Sequence, residues 1–122
     1  MYRQYKYKFY LNANHSIQIG EKQGEIHPHT WEISIDIVEI NETFKEFSNI
    51  EKIIESLIEP YQDKYINDLP PFNRLNPTLE NITSYFKDLI EQELINLGYI
   101  LLTIEISETP TRSFIINLFD EL

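Results

Sequence analysis

Three histidines, His15, His27 and His29, are the residues whose type and spacing could do chemistry in this chain. His27 and His29 are separated by one residue, so on a strand their side chains leave the same face. His15 follows Leu11 and Ala13 in the same two-residue phase. If the two segments pair as an antiparallel hairpin, the end of the first lies beside the start of the second. The three imidazoles then arrive at one end of the sheet, on one side. Three neutral imidazoles with a fourth position open are the donor set of a catalytic zinc site. With no anionic ligand such an ion keeps most of its charge and polarises whatever binds to it. An isolated His-x-His is a weak metal signal. Three unrelated histidines, solvated or separately hydrogen-bonded, are the alternative that pattern alone leaves open.

The elements that must position these residues read as ββααββ. From Tyr5 to Ala13 the apolar side chains fall on odd positions (Tyr5, Tyr7, Phe9, Leu11, Ala13), the period of a strand. A loop over residues 16–26 holds Gly20 and Gly24. A second strand runs from about His27 to Ile40, with Trp31, Ile33, Ile35 and Ile37 sharing the face of His27 and His29. At Ser48 the period changes. Ile50, Ile53, Ile54, Leu57 and Ile58 form one helical face, Ser48 with Glu51 fits a capping box, and Pro60 stops the helix or lies at its last turn.

Residues 61–75, with Pro70 and Pro71, read as an irregular connection. Asn76-Pro77 predicts a second helix start, with Leu79, Ile82, Phe86, Leu89 and Ile90 inward and Gly98 as the stop. Strands over 99–107 and 113–119 complete the order, with Ile100, Leu102, Ile104 and Ile106 on one face of the third. The expected fold class is α+β, a four-stranded antiparallel sheet with two helices on one face. Such a sheet has two open edges, so oligomerisation that covers them is expected.

With 122 residues, the chain has the size of one domain spanning 1–122. Apolar residues make up 42%, enough for a core and too many for a disordered chain. The formal charge of −10 repels phosphate backbones, and the lysines are scattered, so no nucleic-acid partner is expected. There is no cysteine, which excludes disulfides and thiol chemistry and points to the reducing cytoplasm. The first ten residues lack the apolar core of a signal peptide, and no stretch approaches the roughly 20 apolar residues of a membrane span, so no membrane partner is expected.

The run Phe9 to His15, then Ile26-His27-Pro28-His29-Thr30-Trp31, resembles the zinc-binding segments of the 6-pyruvoyl-tetrahydropterin and 6-carboxytetrahydropterin synthases. The likeness continues through Phe47 and its helix, Tyr65-Ile66-Asn67-Asp68, Asn76-Pro77-Thr78-Leu79-Glu80-Asn81 and Glu108-Thr109, in order along almost the whole chain. The resemblance implies the tunnelling fold and a homo-oligomeric ring, often a trimer stacked into a hexamer, with a pterin pocket between subunits. It implies zinc held by His15, His27 and His29, and Glu108 as the anchor of the pterin ring, with Thr109 assisting. A carboxylate at Glu108 is suited to that task, because it can accept two hydrogen bonds from a 2-amino-pyrimidinone edge.

Three departures accompany the likeness. Gln23 stands where the family carries a cysteine that moves protons. Gln62-Asp63-Lys64 stands where it carries an Asp-His pair. Pro28 replaces the glycine between two zinc ligands, a change a sheet edge tolerates. Losing acid–base groups worth 10²- to 10⁴-fold each calls for a substitute, and Asp63 is the first candidate, with Glu25 and Lys64 behind it. The expected function is a zinc-dependent lyase of this synthase type, acting on dihydroneopterin triphosphate or a related pterin. A zinc site repurposed for another pterin or purine-like heterocycle, or a non-catalytic ring-forming paralogue, are the alternatives.

Overall fold

Alternation in two segments and helical spacing in two others give the architecture directly. The computed structural model of the protein describes residues 3–40 and 46–119. Met1 and Tyr2, part of the N-terminal segment read above, lie outside them. The strand β1 covers Tyr5–His15, followed by a small hairpin of β2 (Gln18–Ile19) and β3 (Lys22–Gln23), then β4 (His27–Glu39). Helix α1 spans Phe47–Ile58, two 3₁₀ turns cover Glu59–Tyr61 and Ile66–Asp68, and helix α2 spans Leu79–Asn96. The chain returns as β5 (Tyr99–Thr109) and β6 (Arg112–Asn117). The main sheet is antiparallel in the order β1-β4-β5-β6. This is the expected α+β arrangement, two helices on a four-stranded antiparallel sheet.

The inward residues of β1 and β4 (Phe9, Leu11, Trp31, Ile33, Ile35 and Ile37) are buried against Ile50, Ile54 and Ile58 of α1 and Ile82, Phe86, Ile90 and Leu94 of α2. The opposite face of the sheet is polar. Lys6 pairs with Asp36 at 3.1 Å and Lys8 with Glu32 at 3.2 Å across β1 and β4. One face therefore builds the core and the other meets solvent, which fixes the register, because a one-residue slip would exchange the two.

Three local readings are corrected by the structure. Helix α1 begins two residues earlier than its capping box requires. Glu46 is its N-cap without a side-chain hydrogen bond, and the Ser48 hydroxyl, already inside the first turn, points back to Glu46 at 3.4 Å. Helix α2 is capped by Thr78, whose hydroxyl accepts from the Asn81 amide at 3.1 Å, because the Asn76 side chain is engaged elsewhere. In β5 a register shift opposite Asp36 and Ile37 re-phases the strand, so Tyr99 and Leu101, rather than Ile100, join Ile104 and Ile106 in the core. A bulge of this kind is invisible in an unbroken alternation of apolar residues.

The edge at β1 is partly closed by the connection between the helices. The Asp63 amide donates to the Asn12 carbonyl at 2.6 Å, and the Asn14 amide to the Lys64 carbonyl at 2.9 Å. The Gln62 side chain accepts from the Asn12 amide at 2.9 Å and donates to the Tyr10 carbonyl at 2.7 Å, standing in for a further strand.

Candidate metal centre

The register of β1 and β4 places His15 directly opposite His27, and Ala13 opposite His29. The three side chains project inward at the end of the sheet. One ring nitrogen from each lies within 4.8 Å of the others, a group that can hold a metal ion. His15 is fully buried, while His27 and His29 are partly exposed, so the cluster has a buried floor and an open side. Trp31 forms that floor. Its indole packs edge-on against His15, with ring centroids 4.9 Å apart, and tilted against His29 at 5.1 Å.

Which nitrogens are available follows from their backbone partners. His15 Nδ1 lies 2.9 Å from the Pro77 carbonyl, and His27 Nδ1 lies 3.0 Å from the Glu25 carbonyl. A carbonyl only accepts, so each Nδ1 must carry the proton and each neutral ring presents a bare Nε2. These two Nε2 atoms are 2.8 Å apart. Two lone pairs at that distance repel rather than form a hydrogen bond. A cation shared between them turns the conflict into attraction. Burial is the main force lowering the pKa of His15, to about 4, and the same cause lowers that of His29, so both rings are neutral and ligand-ready near pH 7. Ring nitrogens 2.8 Å apart at the closest, and within 4.8 Å throughout, bracket the separation of about 3.3 Å that a tetrahedral ion with 2.0–2.1 Å bonds requires. The residues fit the ion.

The segment after His15 is clamped by two asparagines. The Asn67 side chain accepts from the Ser16 amide at 3.0 Å and donates to the Ser16 carbonyl at 2.8 Å. Asn76 does the same for Gln18, at 2.9 and 2.8 Å. Both clamps reach across from the connection before α2, and Pro77 next to the second supplies the carbonyl that orients His15. These positioning roles went unread in the sequence, because a backbone carbonyl leaves no side-chain signal. Asn67 stood out only as part of a resemblance, and Asn76 as the expected N-cap of the second helix.

The remaining residues singled out from sequence lie as follows. Glu108 brings one carboxylate oxygen to 3.6 Å from Nε2 of both His15 and His29. Thr109 pairs its hydroxyl with that of Thr111 at 3.2 Å, in the turn between β5 and β6. Gln23 donates to the hydroxyl of buried Ser16, which in turn meets the Tyr65 hydroxyl at 2.7 Å. Asp63 is exposed, with a left-handed backbone at φ 60°. It lines an open groove of about 410 Å³ together with Asn12, Ala13, Asn14, Pro28, His29 and Thr30, so the groove borders one of the three histidines. The side chains of Asn12, Asn14, Pro28 and Thr30 alternate with the histidines and leave the sheet on its other face.

The family model described as 6-pyruvoyl tetrahydropterin synthase matches residues 4–118. The chain belongs to that family. Among solved structures, the synthase of Caenorhabditis elegans is similar with a TM-score of 0.73 and 15% identity, over 94% of each chain. The Plasmodium falciparum synthase gives a TM-score of 0.67 at 13% identity, over 95% of this chain and 98% of its own. A Plasmodium vivax synthase in which the catalytic glutamate is replaced by alanine gives 0.66 at 13% identity, over 95% of this chain and 99% of its own. No curated protein matches the chain. At these identities the structural likeness establishes the synthase fold, and the chemistry must be argued from the site.

Proposed function

We propose that the protein is a zinc-dependent lyase of the 6-pyruvoyl/6-carboxytetrahydropterin synthase type, acting on dihydroneopterin triphosphate or a related pterin. The observation that carries this reading is the pair of bare Nε2 atoms of His15 and His27, 2.8 Å apart and each fixed by a carbonyl behind its ring. His15, His27 and His29 hold the ion. When bound, zinc supplies a Lewis acid that polarises the side-chain oxygens of the substrate and acidifies the neighbouring C–H. Zinc suits three imidazoles better than magnesium or calcium, which prefer oxygen donors.

The chain's own residues do the rest. Trp31 shields the buried side of the cluster from water. Glu108, with Thr109 beside it, receives the donor edge of the pterin ring, the task for which a carboxylate is suited. Proton transfer needs a group other than Gln23, whose amide has no useful acid–base capacity and is tied to Ser16. That the Plasmodium vivax synthase uses a glutamate as its catalytic residue supports a carboxylate in this step. Asp63 lines the groove that His29 also borders, and Glu25 holds His27 through its backbone carbonyl. Asp63 is therefore the first choice for the proton transfer, with Glu25 behind it. The subunits assemble through the sheet edges into a ring, a trimer or hexamer, and the protein works in the cytoplasm. No helix among the described residues is long and apolar enough to cross a membrane.

Incubating the zinc-loaded protein with dihydroneopterin triphosphate and measuring triphosphate release tests the reading. Release well above that of a variant with all three histidines changed to alanine is expected. Equal rates would refute lyase activity on this substrate. Retention of pterin binding by zinc-loaded protein without release would then favour a repurposed pocket, the reading that the loss of the cysteine at Gln23 supports.

A further inference from the structure

Glu108 stands where β5 loses register with β6. Ser107 pairs with Ser113 and Thr109 with Arg112, which leaves Glu108 as the extra residue of a bulge. Bulges commonly re-aim a side chain beside a functional site. The two oxygens of this one have different surroundings. Oε2 takes the Arg112 guanidinium at 3.5 Å. Oε1 is buried without a hydrogen-bond partner, 3.6 Å from both His15 Nε2 and His29 Nε2.

That second oxygen is the anomaly. His15 carries its proton on Nδ1, so the Nε2 it shows to Glu108 is an acceptor like the carboxylate itself. An oxygen taken out of water and facing that lone pair has no hydrogen bond to replace its lost hydration. A cation among the imidazoles would satisfy the oxygen and the ring nitrogens together. We propose that Glu108 is the fourth donor of the metal site while substrate is absent, bringing Oε1 to the ion that His15, His27 and His29 hold. This rests on the metal reading above and deepens it. Three imidazoles and one carboxylate complete a four-donor set. The site is then closed at rest, and substrate oxygens enter by displacing the carboxylate. Arg112 keeps the released group close to the metal, free to receive the ring. One side chain thus serves as latch and then as anchor.

Zinc affinity measured without any pterin separates the latch from the anchor. Metal-free protein is titrated with zinc in competition with a chromophoric chelator, and the cobalt(II) form is examined by visible absorption. Glu108→Gln is expected to raise the zinc Kd at least about tenfold and to change the cobalt spectrum. Glu108→Asp, which keeps the charge but shortens the reach by one methylene, is expected to fall between it and the parent. Glu105→Gln, a change of a carboxylate bonded to Ser113 in the β5–β6 pair, is expected to alter neither. Parental zinc affinity and an unchanged cobalt spectrum in both Glu108 variants would overturn the proposal while leaving the metal site standing. Failure of the parent protein to bind zinc at all would overturn the metal reading, and this inference with it.

Discussion

At the scale of single residues, the site is defined by protons that the histidines do not share. His15 and His27 each spend Nδ1 on a backbone carbonyl, which aims Nε2 and settles the tautomer before any ion arrives. The spacing of His27 and His29 and the phase of His15 were legible in the sequence, because strand alternation translates directly into a shared face. The carbonyls of Glu25 and Pro77 were not, since every residue carries one. Asp63 was the first candidate for the base by position, and its loop, paired along the β1 edge, borders the groove that His29 also lines. Asp63→Asn is therefore expected to lower kcat at least about 100-fold with zinc content unchanged, whereas Glu25→Gln should leave kcat close to the parent. Steady-state rates with metal analysis on both variants check this, and the reverse pattern would move the role to Glu25.

At the scale of elements, the predictable parts are those with a period. Both long strands, both helices and the hairpin register follow from alternation or helical spacing. What escaped were the departures from period: the small β2–β3 hairpin, the shift that brings Tyr99 and Leu101 inward, and the bulge at Glu108. Each depends on pairing with a distant strand or on a turn, which local patterning does not encode. The clamp by Asn67 is another such long-range feature. It satisfies both backbone groups of fully buried Ser16, next to His15. Asn67→Ala leaves those groups without their partner and should destabilise the protein by about 1–3 kcal/mol. Because the strand end that carries His15 would loosen, weaker zinc binding should accompany the lower melting temperature. Thermal unfolding with and without added zinc measures both, and an unchanged zinc-induced shift would separate the clamp from the metal centre.

At the scale of the whole molecule, a four-stranded antiparallel sheet with helices on one face leaves two edge strands. The connection between the helices shields β1 around Asn12 and Asn14, and β6 has a sheet neighbour on one side only. Unpaired strand edges favour addition of another strand, which in a ring of identical chains closes without a remainder. Light scattering coupled to gel filtration should therefore give a trimer or hexamer, and a monomer at micromolar concentration would remove the ring from the account. A net charge of −10 repels a polyphosphate. On that ground the metal and nearby basic groups such as Arg112 must dominate the local field if a triphosphate is the substrate.

The central claim is that one ion sits where the imidazoles of His15, His27 and His29 converge. Anomalous diffraction from crystals of zinc-loaded protein, recorded on both sides of the zinc absorption edge, tests it most directly. One strong peak per chain is expected within bonding distance, about 2.0–2.1 Å, of a nitrogen from each of the three rings. Three rings turned away from one another, or a zinc peak elsewhere on the chain, would contradict it.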